Sequence, residues 1–310
     1  MSWKITLPCT RIEAEAIDGY DEPVPGAVLM TSETVEDDRE HWRLDAYLEH
    51  EPDAATLAAI RGLAPSGATQ PQVEQLGDED WVTLSQAGLE PLREGRFVVH
   101  TSASPAQAPP GGRAFLIEAG RAFGTGHHAT TSGCLAMLDR LTEEVVRFDN
   151  IVDLGTGTGL LAFAALELWP EAYVLATDID PVAIDVTRRN MAMNDIEHIE
   201  LRVTDGARDI AVEPDAAFDL IIANILAGPL VSMAPEIASI AAPQATIILA
   251  GLLETQRAQV VAAYEACSCT LDAVDRRGDW SILRLTAGAE RYVPSSPFDP
   301  EGRDGWALDL

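Results

Sequence analysis

Two different periodicities run along the chain. Near the start, apolar residues alternate with polar ones: Trp3, Ile5 and Leu7 in one run, Trp42, Leu44, Ala46 and Leu48 in another. A period of two marks a strand with one face on a core and one in water. Between the runs, Arg11 to Tyr20 fits a short acidic helix. Asp53 can accept hydrogen bonds from a first helical turn, which predicts a helix over Ala54 to Leu63. The first sixty residues thus predict a small α+β unit. Gly62 to Gln72, rich in Pro, Gly, Ser and Gln, predicts a linker.

Ser102 to Gly112 holds three prolines and two glycines and predicts an exposed loop. From Asn150 the pattern changes. Short apolar runs (Ile151–Leu154, Tyr173–Thr177, Ile199–Val203, Leu220–Asn224, Thr246–Ala250) alternate with helical stretches. That alternation predicts an α/β unit, a parallel sheet covered by helices on its faces. After Leu285 the periodicity fades, and three prolines and three glycines predict a draped tail.

Charge narrows the function classes. Of 310 residues, 50 are acidic and 21 basic, a formal net charge of −29. Such a surface repels phosphate, so a nucleic-acid backbone or an anionic membrane is a poor primary partner, and a basic protein or a small molecule is a better one. The longest uncharged stretch, Ile237 to Leu253, is broken by Pro243 and Gln244, and the start lacks an apolar signal core; the reading is a soluble, cytoplasmic protein. Cys9, Cys134 and the Cys267-x-Cys269 pair, which falls in a strand-like stretch, are too scattered for a disulfide framework or a zinc site and read as reduced structural thiols.

The chemistry concentrates at three places. In Ile151-Val-Asp-Leu-Gly-Thr-Gly-Thr-Gly-Leu160 a buried strand enters a turn carrying Gly155, Gly157 and Gly159, then a helix over Leu160 to Leu168. Glycines there let a ligand approach the backbone at the helix start. The next strand ends in Thr177-Asp178-Ile179-Asp180-Pro181, where Asp178 can accept both hydroxyls of a ribose and Asp180 reads as an N-cap before Pro181. A dinucleotide site wants G-x-G-x-x-G. Here the spacing is G-x-G-x-G with Asp153 just before it, and a carboxylate disfavours a pyrophosphate but suits a cation such as S-adenosylmethionine. Upstream, Arg121-Ala-Phe-Gly-Thr-Gly-His-His-Ala-Thr-Thr131 predicts a tight loop, with Thr130 or Thr131 capping the following helix. Adjacent His127 and His128 lack the further ligands a metal needs. Last, the buried strand Phe218-Asp-Leu-Ile-Ile-Ala-Asn224 ends at the crevice, where an amide can cap a helix or accept a hydrogen bond from an incoming amine.

Taken in order, F-G-T-G-x-H-x-T-T, D-L-G-T-G-T-G, D-I-D-P and N-I-L-A-G-P-L resemble the bacterial ribosomal protein L-eleven methyltransferases, over about Asp80 to Leu285. The family's closing segment is matched by Gly278-Asp279-Trp280. The resemblance implies a class I methyltransferase, a Rossmann-like and mostly parallel sheet, with a ferredoxin-like substrate-binding unit in front. The implied boundaries are 1–62 for substrate recognition, 63–85 for a linker, 86–286 for catalysis and 287–310 for a tail. It further implies S-adenosylmethionine as cofactor and amines of a basic large-subunit ribosomal protein as substrate, lysine side chains or an N-terminal amine. Asn224 and the backbone around Ile225 then orient the amine. Thr125, Gly126, Asp153, Gly155, Gly157, Asp178 and Asn224 meet the cofactor, Asp205 lies near its adenine, and Phe123 and His128 shape its wall. Two features depart from the family: the front unit is short and unusually acidic, and the tail is extra. The alternatives are an enzyme of the same fold acting on another protein, since fold does not fix substrate, and a non-catalytic S-adenosylmethionine-binding protein.

Overall fold

The computed structural model describes residues 2–17, 24, 27–33, 42–48, 50–66, 71–76, 91–118, 129–207, 210 and 217–294. The chain divides into two compact units, Met1–Gly88 and Leu89–Leu310.

In the first unit the order is β1 (Ser2–Cys9), α1 (Arg11–Ile17), β2 (Ala27–Glu33), β3 (Trp42–Leu48), α2 (Ala54–Leu63) and β4 (Gln72–Leu76). The strands lie as β2-β3-β1-β4, antiparallel throughout. This is the ferredoxin-like βαββαβ arrangement. The alternation read in the sequence puts Ile5, Leu7, Leu44, Ala46 and Leu48 on one core with Ala14 and Ile17 of α1 and Ile60 of α2. On the other face Asp45 is buried, and its charge is compensated by Lys4 and Arg43, each at 3.2 Å, and by the Thr6 hydroxyl at 2.6 Å. Asp53 caps α2 as expected, accepting from Thr56 N at 2.7 Å.

The linker expectation for 63–85 needs correction: Leu63 closes α2, and Gln72–Leu76 is a strand whose Val73 pairs with Ile5. As an edge strand it buries little, and Val73 is 42% exposed, so it shows no apolar period to read.

Helix α1 opens with reciprocal bonds: Thr10 N donates to the Glu13 carboxylate (2.8 Å), and Glu13 N donates to Thr10 Oγ1 (3.4 Å), a capping box. Glu13 also accepts from Ser66 N (2.8 Å) and the Ser66 hydroxyl. Partial burial raises its pKa, but the bonds from Ser66 and Thr10 outweigh it and bring it from 4.5 to about 2. A lowered carboxyl pKa contributes stability above the unfolded value that is lost as pH falls through the folded one. Glu13→Gln should therefore cost on the order of 1 kcal/mol at pH 7, solvent screening included. The gap to the parent in denaturant melts of the full chain should close between about pH 4.5 and 2; a gap independent of pH would contradict this account.

The second unit opens with a three-stranded sheet: β5 (Leu92–Glu94) antiparallel to β6 (Phe97–His100), itself parallel to β7 (Arg113–Leu116). The loop expected at Ser102 to Gly112 joins β6 to β7. Then come α3 (Ala129–Glu143), β8 (Asn150–Leu154), α4 (Leu160–Leu168), β9 (Tyr173–Asp178), α5 (Pro181–Met193), β10 (Ile199–Val203), β11 (Phe218–Asn224), α6 (Ala227–Ser232), α7 (Ala234–Ile240), β12 (Ala241–Leu253), α8 (Arg257–Glu265), β13 (Thr270–Arg277) and β14 (Trp280–Thr286). The large sheet runs β10-β9-β8-β11-β12-β14-β13, parallel from β10 to β12 and antiparallel at β14 and β13. Alternate residues serve two cores. Ile151, Leu220 and Ile222 pack with α3 and α4, whereas Val152, Ile221 and Ala223 pack with α6, α7 and α8. The chain leaves β8 toward β9 and later returns to β11 on its other side. That makes β8/β11 the topological switch point, where ligands of such sheets bind beyond the strand carboxyl ends.

The expectations for the cysteine pair and for the tail fail in this unit. Cys267 and Cys269 lie not in a strand but in the turn between α8 and β13, where Ser268 has φ 66°; their apolar neighbours signal burial, and both thiols are free. Residues 287–294 are not loose either. Ala287 N donates to Ala245 O (2.9 Å), Gln244 N to Gly288 O (3.0 Å) and Arg291 Nε to Ser239 O (2.8 Å). The rest of the expected tail, 295–310, lies outside the described residues. Among the described residues no helix is long and apolar enough to cross a membrane.

Candidate active site

Strand β8 stops at Leu154 because the next five residues cannot continue a ladder: Gly155, Gly157 and Gly159 have φ of 70°, 57° and 88°. Helix α5 anchors this turn from outside. Thr187 Oγ1 donates to Gly157 O (3.0 Å) and Asn190 Nδ2 to Thr158 O (2.8 Å), both from fully buried residues. The same Asn190 accepts from Glu118 N (3.1 Å), and Asn194 bonds both backbone groups of Leu116 at 2.8 Å. These polar residues share one face of α5 at helical spacing, a signal present in the sequence but absent from the reading above.

Asp178, the last residue of β9, accepts from Gly157 N (2.9 Å) and Asp180 N (3.0 Å). Burial raises its pKa against those bonds. Asp180 caps α5 through Val182 N at 2.8 Å, with Pro181 following, as the sequence suggested. Around Asp178 stand exposed apolar side chains that the sequence reading passed over: Ile179, Val182 and Val203, the last in register with Asp178 across β10. Asp205 follows β10 and is half-buried.

Asp153 lies beneath the turn, 1% exposed, on the side of α3 and α4. Burial pushes its pKa up to about 7, although the Thr156 hydroxyl (2.6 Å) and Ala162 N donate to it and favour the ionised form. Across the switch point Asn224 ends β11, and its Nδ2 donates to Thr131 Oγ1 at 3.2 Å. Thr130 and Thr131 are not caps: α3 begins at Ala129, and both are buried in its first turn. Ile225 N donates to Ala250 O (3.1 Å). The structure thus brings Asp153, Gly155, Gly157, Asp178, Asn224 and Ile225 to one end of the sheet, with Asp205 following β10. Phe123, Thr125, Gly126, His127 and His128 lie outside the described residues. Among the described residues no group of three His, Cys, Asp or Glu could hold a metal ion.

A doubly wound sheet closed by an antiparallel hairpin, with a glycine turn, a carboxylate on the neighbouring strand and an asparagine opposite, is a class I methyltransferase domain. Comparison with known proteins makes the assignment particular. The family model for ribosomal protein L11 methyltransferase matches residues 10–287, and the chain belongs to that family. Ribosomal protein L11 methyltransferase of Rhizobium etli is 44% identical over 254 residues, 81% of this chain and 86% of that one. The Agrobacterium fabrum protein of the same name is 40% identical over 262 residues, 83% and 89% of the two chains. The crystal structure of ribosomal protein L11 methylase from Lactobacillus delbrueckii subsp. bulgaricus superposes with a TM-score of 0.57 at 28% identity, over 64% of this chain and 100% of that one. The protein is a methyltransferase enzyme, and its methyl donor is S-adenosylmethionine.

Proposed function

We propose that this chain methylates amino groups of ribosomal protein L-eleven, with the unit Leu89–Leu310 carrying the chemistry and the unit Met1–Gly88 selecting the protein. The observation that carries this reading is the held amide of Asn224. Its Nδ2 is engaged by Thr131, so Oδ1 is the atom left to accept an N–H at the switch point.

The residues suit the donor by their chemistry. The Asp178 carboxylate retains acceptor capacity for ribose hydroxyls, exposed Ile179 and Val203 offer apolar faces to a purine, and buried Asp153 supplies a negative charge under the turn. Gly155 and Gly157 form the turn that approaches the cofactor, with Asp205 near the adenine; Thr125, Gly126, Phe123 and His128 complete the set in this proposal. When bound, S-adenosylmethionine supplies an electrophilic methyl group on a sulfonium. Asp178→Ala should weaken its binding by about 1.5–3 kcal/mol, the range for hydrogen bonds to a charged group. Because Gly157 N loses its acceptor as well, the turn should also loosen. Calorimetric affinity equal to the parent's would remove Asp178 from the site.

The nucleophile must be a neutral amine. A lysine near pKa 10.4 is neutral in about one molecule in 2,500 at pH 7, equivalent to about 4.6 kcal/mol, whereas an N-terminal amine near 7.7–8.0 needs only about 1 kcal/mol. Desolvation in the crevice lowers either value. Asn224 Oδ1 and the backbone of Ile225 then accept its N–H groups and aim its lone pair, a positioning role that needs no general base.

The −29 charge supports a basic protein partner and speaks against nucleic acid or anionic membrane. A ribosomal substrate supports a cytoplasmic site of action. Steering by opposite charges is screened beyond about 8–10 Å at physiological salt. KM for the protein should therefore rise with ionic strength while that for the cofactor stays flat; constants that move together would exclude steering. The decisive test of function is mass spectrometry of purified L-eleven after incubation with enzyme and cofactor. Gains of 14 Da are expected, and an unmodified L-eleven beside another methylated protein would overturn the substrate assignment.

A further inference from the structure

Ile225 is gripped between two glycines, one in the turn after β8 and one in β12. On one side is Gly155, the first residue of the cofactor turn, where an added methyl group would come within 2.3 Å of Ile225 Cγ2. On the other is Gly251 of β12, with φ +84°; a methyl group there would come within 2.2 Å of the Ile225 carbonyl oxygen, 2.7 Å of its carbon and 3.0 Å of its nitrogen. Gly251 lies where β12 and β14 lose register, between Leu249 and Leu252. A bulge of this kind kinks a strand and re-aims what it carries, and such bulges gather beside active sites. Here the strand is bent against the peptide that follows Asn224, and Ile225 N is bonded to Ala250 O at 3.1 Å. The last pair between β11 and β8 is Ala223 with Leu154, so past that point contact with Gly155 and Gly251 takes over from the ladder.

We propose that Gly251 is a positioning residue for methyl transfer: by carrying no side chain it seats the Asn224–Ile225 peptide against the cofactor turn, and so sets the distance from amine acceptors to methyl donor. The inference rests on the amine-methylation reading. Its physical basis is that the contact is with backbone. A rotamer change relieves a crowded side chain, whereas relieving a 2.2 Å approach to a carbonyl oxygen moves that oxygen by about 1 Å, and a misplacement of that size can cost about a hundredfold in rate.

The test compares the full-length parent with Gly251→Ala, Ile225→Ala and Gly111→Ala. Gly111 shares the left-handed backbone (φ +72°) but has open space around it, so it carries the strain without the clash. Binding of S-adenosylhomocysteine is followed by calorimetry, and kcat and KM are measured on L-eleven. For Gly251→Ala, kcat should fall about fiftyfold or more, with the Kd for S-adenosylhomocysteine within threefold and a stoichiometry near one. Gly111→Ala should keep the parent's kcat. Ile225→Ala, which leaves the backbone and removes the stop against Gly155, should lose about tenfold in kcat at similar Kd; it decides the matter should Gly251→Ala not fold. Parent-like kcat in both site variants, or equal losses in kcat and cofactor binding, would overturn the proposal. A parent enzyme inactive on L-eleven would instead overturn the functional reading.

Discussion

Asn224→Ala is expected to lower kcat about a hundredfold while the affinity for S-adenosylhomocysteine stays within about twofold. The carboxyl end of β11 is fixed on both sides, by β8 through Ala223 and by β12 through the Asn224–Ala250 pair, so the truncation removes an amide without moving a strand. What is lost is the acceptor that Thr131 holds in place from α3. An amine no longer oriented keeps its binding surface but samples many directions, and losses of about 10² follow from misplacement on the order of 1 Å. Asn224→Asp separates orientation from charge. The carboxylate can still accept from the amine and from the Thr131 hydroxyl, but it stabilises the ammonium form and so raises the pKa of the substrate amine. Its kcat should recover as pH rises, along a profile displaced to higher pH than the parent's. Activity of Asn224→Ala within threefold of the parent would remove this residue from the amine site.

What the sequence discloses here is what local pattern encodes. Strands buried on both faces declare themselves by continuous apolar runs, so β8, β9 and β11 stand close to where their residues predict, while β10, at the sheet edge, shows the alternation Ile199, Leu201, Val203 instead. The glycine turn is legible because only glycine accepts those φ values in succession, and Asp180 because a cap acts on its own next residues. Strand β4 escapes detection because an edge strand buries too little to need an apolar period. Contacts that complete the site escape for another reason. Thr131 and Asn224 are 93 positions apart, and the bulge at Gly251 has meaning only once β12 lies beside β11. A threonine before a helix has a local explanation as a cap, and that explanation competes with the distant one until topology decides. Asp153 was legible as a charge but not as a buried one. Its parity with Ile151 turns it toward α3 and α4, beneath the turn.

That burial gives cofactor binding a pH dependence of definite sign. Asp153 titrates at about 7 in the free protein, raised by burial. For stability, a raised carboxyl pKa means the folded chain holds a proton the unfolded chain releases, so its contribution declines as pH rises from the ordinary 3.8 toward about 7. For binding, the sign reverses. The ligand's ammonium favours the ionised carboxylate, so below pH 7 a proton must leave as the ligand enters. The affinity for S-adenosylhomocysteine should therefore improve from pH 6 to pH 7 by up to about tenfold, the limit for one proton, and level off by pH 8. Calorimetry in two buffers of different ionisation enthalpy counts the proton directly: release of a fraction approaching one at pH 6 and close to none at pH 8. Asp178 is also raised by burial, and Asp153→Asn isolates the contribution. That variant keeps the shape of the side chain and should bind more weakly at pH 8, with the pH slope largely gone, while resisting denaturant better than the parent at the same pH. A parent whose affinity is flat from pH 6 to 8, with no proton released, would show that the charge beneath the turn plays no part in holding the cofactor.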